Sequence, residues 1–182
     1  MKYGKGWTLF LDRDGVINTE RPNDYVKTKE EFIWEHKSKE AIALLTPYFD
    51  RILIITNQRG VGIGLMQEED LQEIHRMMVE EIAAVGGRID KIYYCTDTYR
   101  NSENRKPNRG MGLQAQEEFP EIDFTKTVMV GNSLSDMEFG RNLGTHTVFI
   151  DEKKKYNGVK NNWMDEIYDS LFNYAEKVLQ TN

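Results

Sequence analysis

A chain of 182 residues with a single cysteine, Cys95, cannot close an internal disulfide or complete a cysteine-based zinc site. That usage fits a reducing compartment. Long apolar runs are missing as well: the longest aliphatic stretches, such as residues 52–55, fall far short of the roughly 18 residues that span a bilayer. The opening MKYGKGWTLFLDRDG has neither the apolar stretch nor the small-residue cleavage site of a secretory leader. A soluble cytoplasmic protein is expected, acting as a monomer and without membrane partners. Basic residues are outnumbered, 24 Lys and Arg against 30 Asp and Glu, for a formal net charge of −6. That balance argues against a nucleic-acid partner, which needs a basic face to neutralise phosphates. An acidic protein that takes an anionic substrate must therefore supply positive charge locally. There is no internal repeat, no low-complexity linker and no GxxxxGK[ST] phosphate loop. His36, His75 and His146 stand far apart and are assigned structural or surface roles, His75 on the polar flank of a helix.

What is present suits one domain over residues 1–182, long enough to bury roughly 70% of its unfolded surface. Short apolar runs alternate with amphipathic stretches, the pattern of an α/β fold with a parallel β-sheet. Strands are expected at 7–11, 51–55, 89–95, 127–130 and 147–150. Residues 13–36, polar with scattered aromatics including Tyr25 and Trp34, read as a flap. Helices are expected at 38–45 with Ser38 as cap, at 68–85, 112–119 and 135–143, and at 164–179 with an apolar face from Ile167, Leu171, Ala175 and Val178. Leu71, Ile74, Met78, Ile82 and Val85 mark the second of these most clearly, and Gly86-Gly87 stops it. The run Glu152 to Lys155 reads as a solvated turn.

Parallel sheets bind ligands at the carboxyl ends of their strands. Four such ends carry polar chemistry. Asp12 and Asp14 follow the first strand, where two carboxylates held together call for a cation such as magnesium, unless they cap a turn at Gly15. Thr56-Asn57-Gln58 follows the second and offers a hydroxyl and amides to phosphate oxygens, or is a polar transition into a loop. Arg105-Lys106 gives two adjacent cations able to neutralise a phosphate, or a solvated basic loop. Asn132 and Asp136 add oxygen donors after the fourth strand, where Asn132 or Ser135 would otherwise cap the next helix. Together, in this order, they form the equipment for phosphoryl transfer to a carboxylate.

DRDGV (12–16), TNQ (56–58), RKP (105–107) and GNSLSDM (131–137) resemble the four motifs of the haloacid dehalogenase (HAD) superfamily of phosphatases. The longer strings DRDGVIN, TNQRGVGIG, YYCTD and RKPNRGM are similar to the D-glycero-D-manno-heptose 1,7-bisphosphate phosphatase and histidinol-phosphatase group. The resemblance covers about residues 7–151. It implies a Rossmann-like three-layer fold with a small flap and no large cap domain. It also implies a magnesium-dependent phosphatase acting on a small phosphorylated metabolite, such as heptose 1,7-bisphosphate or histidinol phosphate. Asp12 would be the nucleophile and Asp14 the general acid and base. Thr56 and Asn57 would bind the phosphoryl group, Lys106 would steady its charge, and Arg105 and Gln58 would contact substrate. Magnesium would rest on Asp12, Asp14, Asn132 and Asp136. Other arrangements fit less well. A response-regulator receiver carries its acceptor aspartate well inside the chain, and a nucleic-acid 3′-phosphatase needs a basic stripe. A non-catalytic phosphosugar-binding protein on a decayed site is the main alternative.

Two departures stand out against that group. Asn132 replaces the usual motif aspartate, removing one negative charge, and Ser133 replaces a basic residue. The zinc loop of cysteines and a histidine is shortened to TDTYRNSENRKP, so no structural zinc is expected. If Asn132 is a magnesium ligand, Asn132→Asp is expected to lower the magnesium concentration that gives half-maximal rate. An unchanged or higher requirement in a magnesium titration refutes that assignment.

Overall fold

Alternation along the central strands sets the layers. In a computed structural model, which describes residues 3–154, 156 and 161–181, Leu9 and Leu11 of β1 (Gly4–Leu11) are buried toward one face and Phe10 toward the other. The same period-two division separates Ile52 and Ile54 from Leu53 and Ile55 in β2 (Phe49–Asn57). A strand covered on both faces reads as a continuous apolar run, which is why LFL and ILII stand out in the sequence.

Between these strands lies α1 (Ser38–Leu45). After β2 come a short turn, α2 (Arg59–Gly62), and α3 (Glu68–Ala84), then β3 (Lys91–Cys95) and α4 (Gly110–Glu118). The second half continues through β4 (Thr127–Gly131), α5 (Leu134–Leu143), β5 (His146–Ile150), β6 (Glu166–Tyr168) and α6 (Leu171–Thr181). All six strands pair in parallel in the order β3-β2-β1-β4-β5-β6. One core layer gathers residues of α1, α3 and α6, and the other packs α4 and α5 on the opposite face. This is the expected three-layer α/β arrangement. It places the ends of β1, β2 and β4 side by side at the centre of the sheet, where the strand order reverses. Among the described residues no helix is long and apolar enough to cross a membrane.

Local departures from the sequence expectation have physical causes. The helix expected from residue 164 begins instead at Leu171. Ile167 lies on β6 opposite Phe149, because the outer edge of β5 presents backbone groups that need partners. Ser38 is the first residue of α1 rather than its cap, and Lys37 takes the cap position in a left-handed conformation. The Ser38 hydroxyl donates to the Ile17 carbonyl at 2.7 Å, tying the helix to the base of the flap. That base is a small ribbon. The Thr19 amide donates to Ile33 O at 2.7 Å and the Glu35 amide to Ile17 O at 2.9 Å, with Val16, Ile17, Val26 and Phe32 buried beneath. Trp34 packs half-buried against the core, edge-on to Phe32. Residues 152–153 form an exposed turn, and Lys155 of that run lies outside the described residues.

Leu9, fully buried on the central strand, reports on this packing. Leu9→Ala is expected to cost about 2–5 kcal/mol of unfolding free energy, read as a lower midpoint in urea with an unchanged slope. A loss below about 1 kcal/mol contradicts the assigned layer.

Candidate active site

The first motif leaves the sheet while still hydrogen-bonded to it: the Asp12 amide donates to Val130 O at 2.9 Å. This anchors the Asp12 carboxylate beside the β4–α5 junction. The next turn requires a glycine. Gly15 has φ of +84°, and a Cβ there would lie 1.8 Å from Asn132 Nδ2. The bend at Gly15 thus lets Asn132 pack against the first motif. Gly131 does similar work, because a Cβ on it would meet the Asp136 Cβ at 2.3 Å.

Lys106 enters from the loop before α4 and is almost fully buried. Its Nζ donates to Asp12 Oδ1 at 2.8 Å and to Ile55 O at 2.7 Å, and it pairs with Asp136 Oδ1 at 2.7 Å. Burial pushes the Lys106 pKa down, but the Asp12 and Asp136 carboxylates outweigh it and the net shift is upward. Burial and the Asp136 charge push Asp12 up to about 7, against the pull of Lys106. Asp14 goes the other way. Burial would raise it, yet the Arg13 guanidinium and hydrogen bonds from Arg13, Asn18 and Gln58 hold it below the usual carboxylate range.

The second motif organises rather than only lines the site. Gln58 Nε2 bridges Asp14 Oδ2 and the buried Thr56 Oγ1, both at 2.9 Å. Asn57 clamps the Lys106 backbone, its Oδ1 accepting from Lys106 N at 3.0 Å and its Nδ2 donating to Lys106 O at 3.2 Å. Asp12, Asp14, Asn57, Gln58, Lys106, Asn132 and Asp136 line one cleft of about 480 Å³. Thr56 lies behind that lining and Arg105 outside it, where Arg105 Nη1 donates to Asp97 O at 3.2 Å and braces the loop.

The cap of α5 is Ser133, not Asn132 or Ser135. Its hydroxyl accepts from the Asp136 amide at 3.3 Å while its own amide donates to Asp136 Oδ2 at 3.0 Å. Asn132 is therefore left to face the cleft, and both Asp136 oxygens are committed, one to Ser133 and one to Lys106. A divalent cation fits the donor chemistry. Asp12, Asp14 and Asp136 bring three carboxylates against the two cations Arg13 and Lys106, and the donors are hard oxygens. Among the described residues no three His, Cys, Asp or Glu side chains gather into a metal cage. The Asn132 side chain adds a further neutral oxygen to the cleft lining.

Sequence reasoning missed a second layer under Asp14. Arg13, fully buried, donates from Nη2 to Asp14 Oδ1 at 2.9 Å, and its Nη1 lies 3.3 Å from His75 Nε2. His75 is buried rather than on a polar flank, edge-on to Tyr94. It sits one turn past Leu71 on the core side of α3, the spacing that could have revealed it. Burial and Arg13 push its pKa down to about 3. The unfolded chain therefore binds a proton between about pH 6.5 and pH 3 that the folded protein does not, and stability falls as pH drops through that window. His75→Gln is expected to flatten the fall in unfolding free energy between about pH 6.5 and pH 4.5. Parallel curves for the two proteins, in denaturant titrations across that range, count against a neutral buried imidazole.

A sequence profile of the HAD-hydrolase-like family matches residues 103–171. The D-glycero-alpha-D-manno-heptose-1,7-bisphosphate 7-phosphatase of Mycobacterium bovis is 33% identical, with 96% of this chain and 93% of the relative covered. The D-glycero-beta-D-manno-heptose-1,7-bisphosphate 7-phosphatase of Rhodopseudomonas palustris is 40% identical over 74% of this chain and 78% of its own. Among solved structures, D,D-heptose 1,7-bisphosphate phosphatase from B. bronchiseptica, complexed with magnesium and phosphate, superposes with a TM-score of 0.87 at 29% identity, covering 97% of this chain and 99% of that one. With its sheet order, its cleft and these relatives in agreement, the chain belongs to the haloacid dehalogenase superfamily and is a phosphatase of that family.

Proposed function

We propose that the chain releases phosphate from a small sugar bisphosphate of the heptose 1,7-bisphosphate class, through an aspartyl phosphate on Asp12. The observation that carries this reading is the buried Lys106, held at once by Asp12 and Asp136 at the meeting point of three strand ends. An Asp12 carboxylate oxygen attacks phosphorus as the bond to the leaving oxygen breaks, and Asp14 gives that oxygen a proton. Asp14, again a carboxylate, then takes a proton from the water that attacks the phospho-aspartate, returning Asp12 and releasing phosphate. The resting Asp14 is already disposed to be the base, and an incoming phosphate dianion beside it raises its proton affinity for the acid half. Lys106 offsets charge on the transferring group, Thr56 and Gln58 keep Asp14 in place, and Asn57 keeps Lys106 in place. Arg105, outside the cleft, supports the loop rather than the substrate.

Magnesium, held by an Asp12 carboxylate oxygen, the Asp14 backbone carbonyl and Asn132, would supply positive charge to the phosphoryl oxygens. Asp136, with Oδ2 held by Ser133 and Oδ1 ion-paired with Lys106, adds negative charge beside that cation. No zinc completes the fold in this reading: the lone Cys95 is buried beside Ser102. The protein works as a cytoplasmic monomer on a freely diffusing substrate. Asn132 favours one rival, a phosphosugar-binding protein without turnover.

Phosphate release from heptose 1,7-bisphosphate, histidinol phosphate and common hexose phosphates is the direct test. Wild type is expected to release phosphate only with magnesium, fastest from the heptose bisphosphate. Asp12→Asn is expected to lose at least about a thousandfold in rate. A folded wild-type protein that binds these sugars and hydrolyses none would overturn the reading in favour of the binding protein.

A further inference from the structure

A bisphosphate brings two dianions into one cleft, and Lys106 serves only the one that reacts. Building on the phosphatase reading, we propose that Arg59 holds the second, non-reacting phosphate at the mouth of the cleft and so selects bisphosphates over monophosphates.

Four cations line the cleft: Arg13, Arg21, Arg59 and Lys106. Three are already engaged. Lys106 is buried with three acceptors at 2.7–2.8 Å. Arg13 is buried between Asp14 and His75. Arg21 pairs with Glu31 at 2.7 Å and with Asp24 at 3.3 Å, so a ligand taking it must break an ion pair. Arg59 is exposed and has no acidic partner among the described residues. Its guanidinium, planar and permanently charged, can grip a phosphate with two parallel hydrogen bonds at no cost in existing pairs.

Its place in the fold fits the role. Arg59 directly follows Gln58, whose side chain reaches Asp14, so its backbone stands one residue from the reacting end. The flap meets the residue that follows Arg59. The Tyr25 ring lies over Gly60, where a Cβ would sit 3.0 Å from Tyr25 Cγ. That contact draws the flap tip and α2 together into one wall with Arg59 on it. The nearby acids do not cancel its charge. Asp24 is bound by Lys27 at 2.7 Å and Glu20 pairs with Lys153 at 3.7 Å. The cleft, at about 480 Å³, is of a size that accommodates small ligands. A sugar phosphorylated at both ends can thus place one phosphate against Lys106 and the other against Arg59.

The test compares heptose 1,7-bisphosphate with the same heptose carrying the 7-phosphate alone. In Arg59→Gln the ratio of kcat/KM for the bisphosphate to that for the monophosphate is expected to fall by about 10- to 100-fold, chiefly through KM. Arg59→Lys, which keeps charge but loses the fork, is expected to recover part of that ratio. An unchanged ratio, with both substrates hit equally or neither affected, overturns the proposal. Calorimetric binding of the two sugars to Asp12→Asn, with and without Arg59→Gln, separates this proposal from the reading it rests on. Turnover with an Arg59-independent preference sinks the distal site alone. An Arg59-dependent binding preference without wild-type turnover sinks the phosphatase reading and keeps the site.

Discussion

A buried ammonium with three acceptors governs this structure. Lys106 Nζ carries three hydrogens, and Asp12, Asp136 and the Ile55 carbonyl meet it within 2.7–2.8 Å. Those acceptors come from the end of β2, the residue just beyond β1, and α5 just after β4. The charge can stay buried only while the three central strands keep their register, since a buried charge that loses a partner is strongly destabilising. The same constraint positions the chemistry. Asp12, Lys106 and Asp136 are brought together by the requirement to satisfy one nitrogen. Gly131 belongs to this account, because a side chain there would push Asp136 away from Lys106.

A second buried cation does the complementary work. Arg13 is buried at the edge of the cleft beside Asp14, and with Asn18 and Gln58 it holds Asp14 ionised. Two carboxylates two residues apart therefore differ sharply: Asp12 is driven up to about 7 and Asp14 is driven down. Separated proton affinities of this kind are how one site runs an acid and a base. In the mechanism proposed above, the resting order is opposite to the one the first half-reaction needs, and an incoming phosphate beside Asp14 would raise its proton affinity.

The acidity of the whole chain, −6, sits on top of this local accounting. The cleft gathers five acids, Asp12, Asp14, Glu20, Asp24 and Asp136, against four cations, and most of these are already paired with one another. A flap tied at its base by backbone hydrogen bonds and by Tyr25 over Gly60 forms one wall of that cleft.

Much of this was legible in the chain itself. Buried parallel strands announce themselves as continuous apolar runs, and the polar residues that follow each run fall at one edge of the sheet by the geometry of the fold. Asp12, Asp14, Lys106 and Asn132 could be named that way, and the order of their motifs pointed to phosphoryl transfer. Periodicity failed where a sheet edge needed a partner, turning residues 166–168 into β6. It also failed where a polar side chain paired under the site, as with His75 beneath Arg13. That Asn57 bonds the Lys106 backbone, that Gln58 reaches Asp14, that Arg105 bonds Asp97 O and that Arg59 has no acidic partner among the described residues lay beyond linear spacing. Neighbouring residues on a turn diverge in direction, and only tertiary contacts say which of them has already spent its hydrogen bonds. Residue type and order along the sequence determined the chemistry on offer; the packing of flap, turn and strand ends decided which groups remain free to perform it.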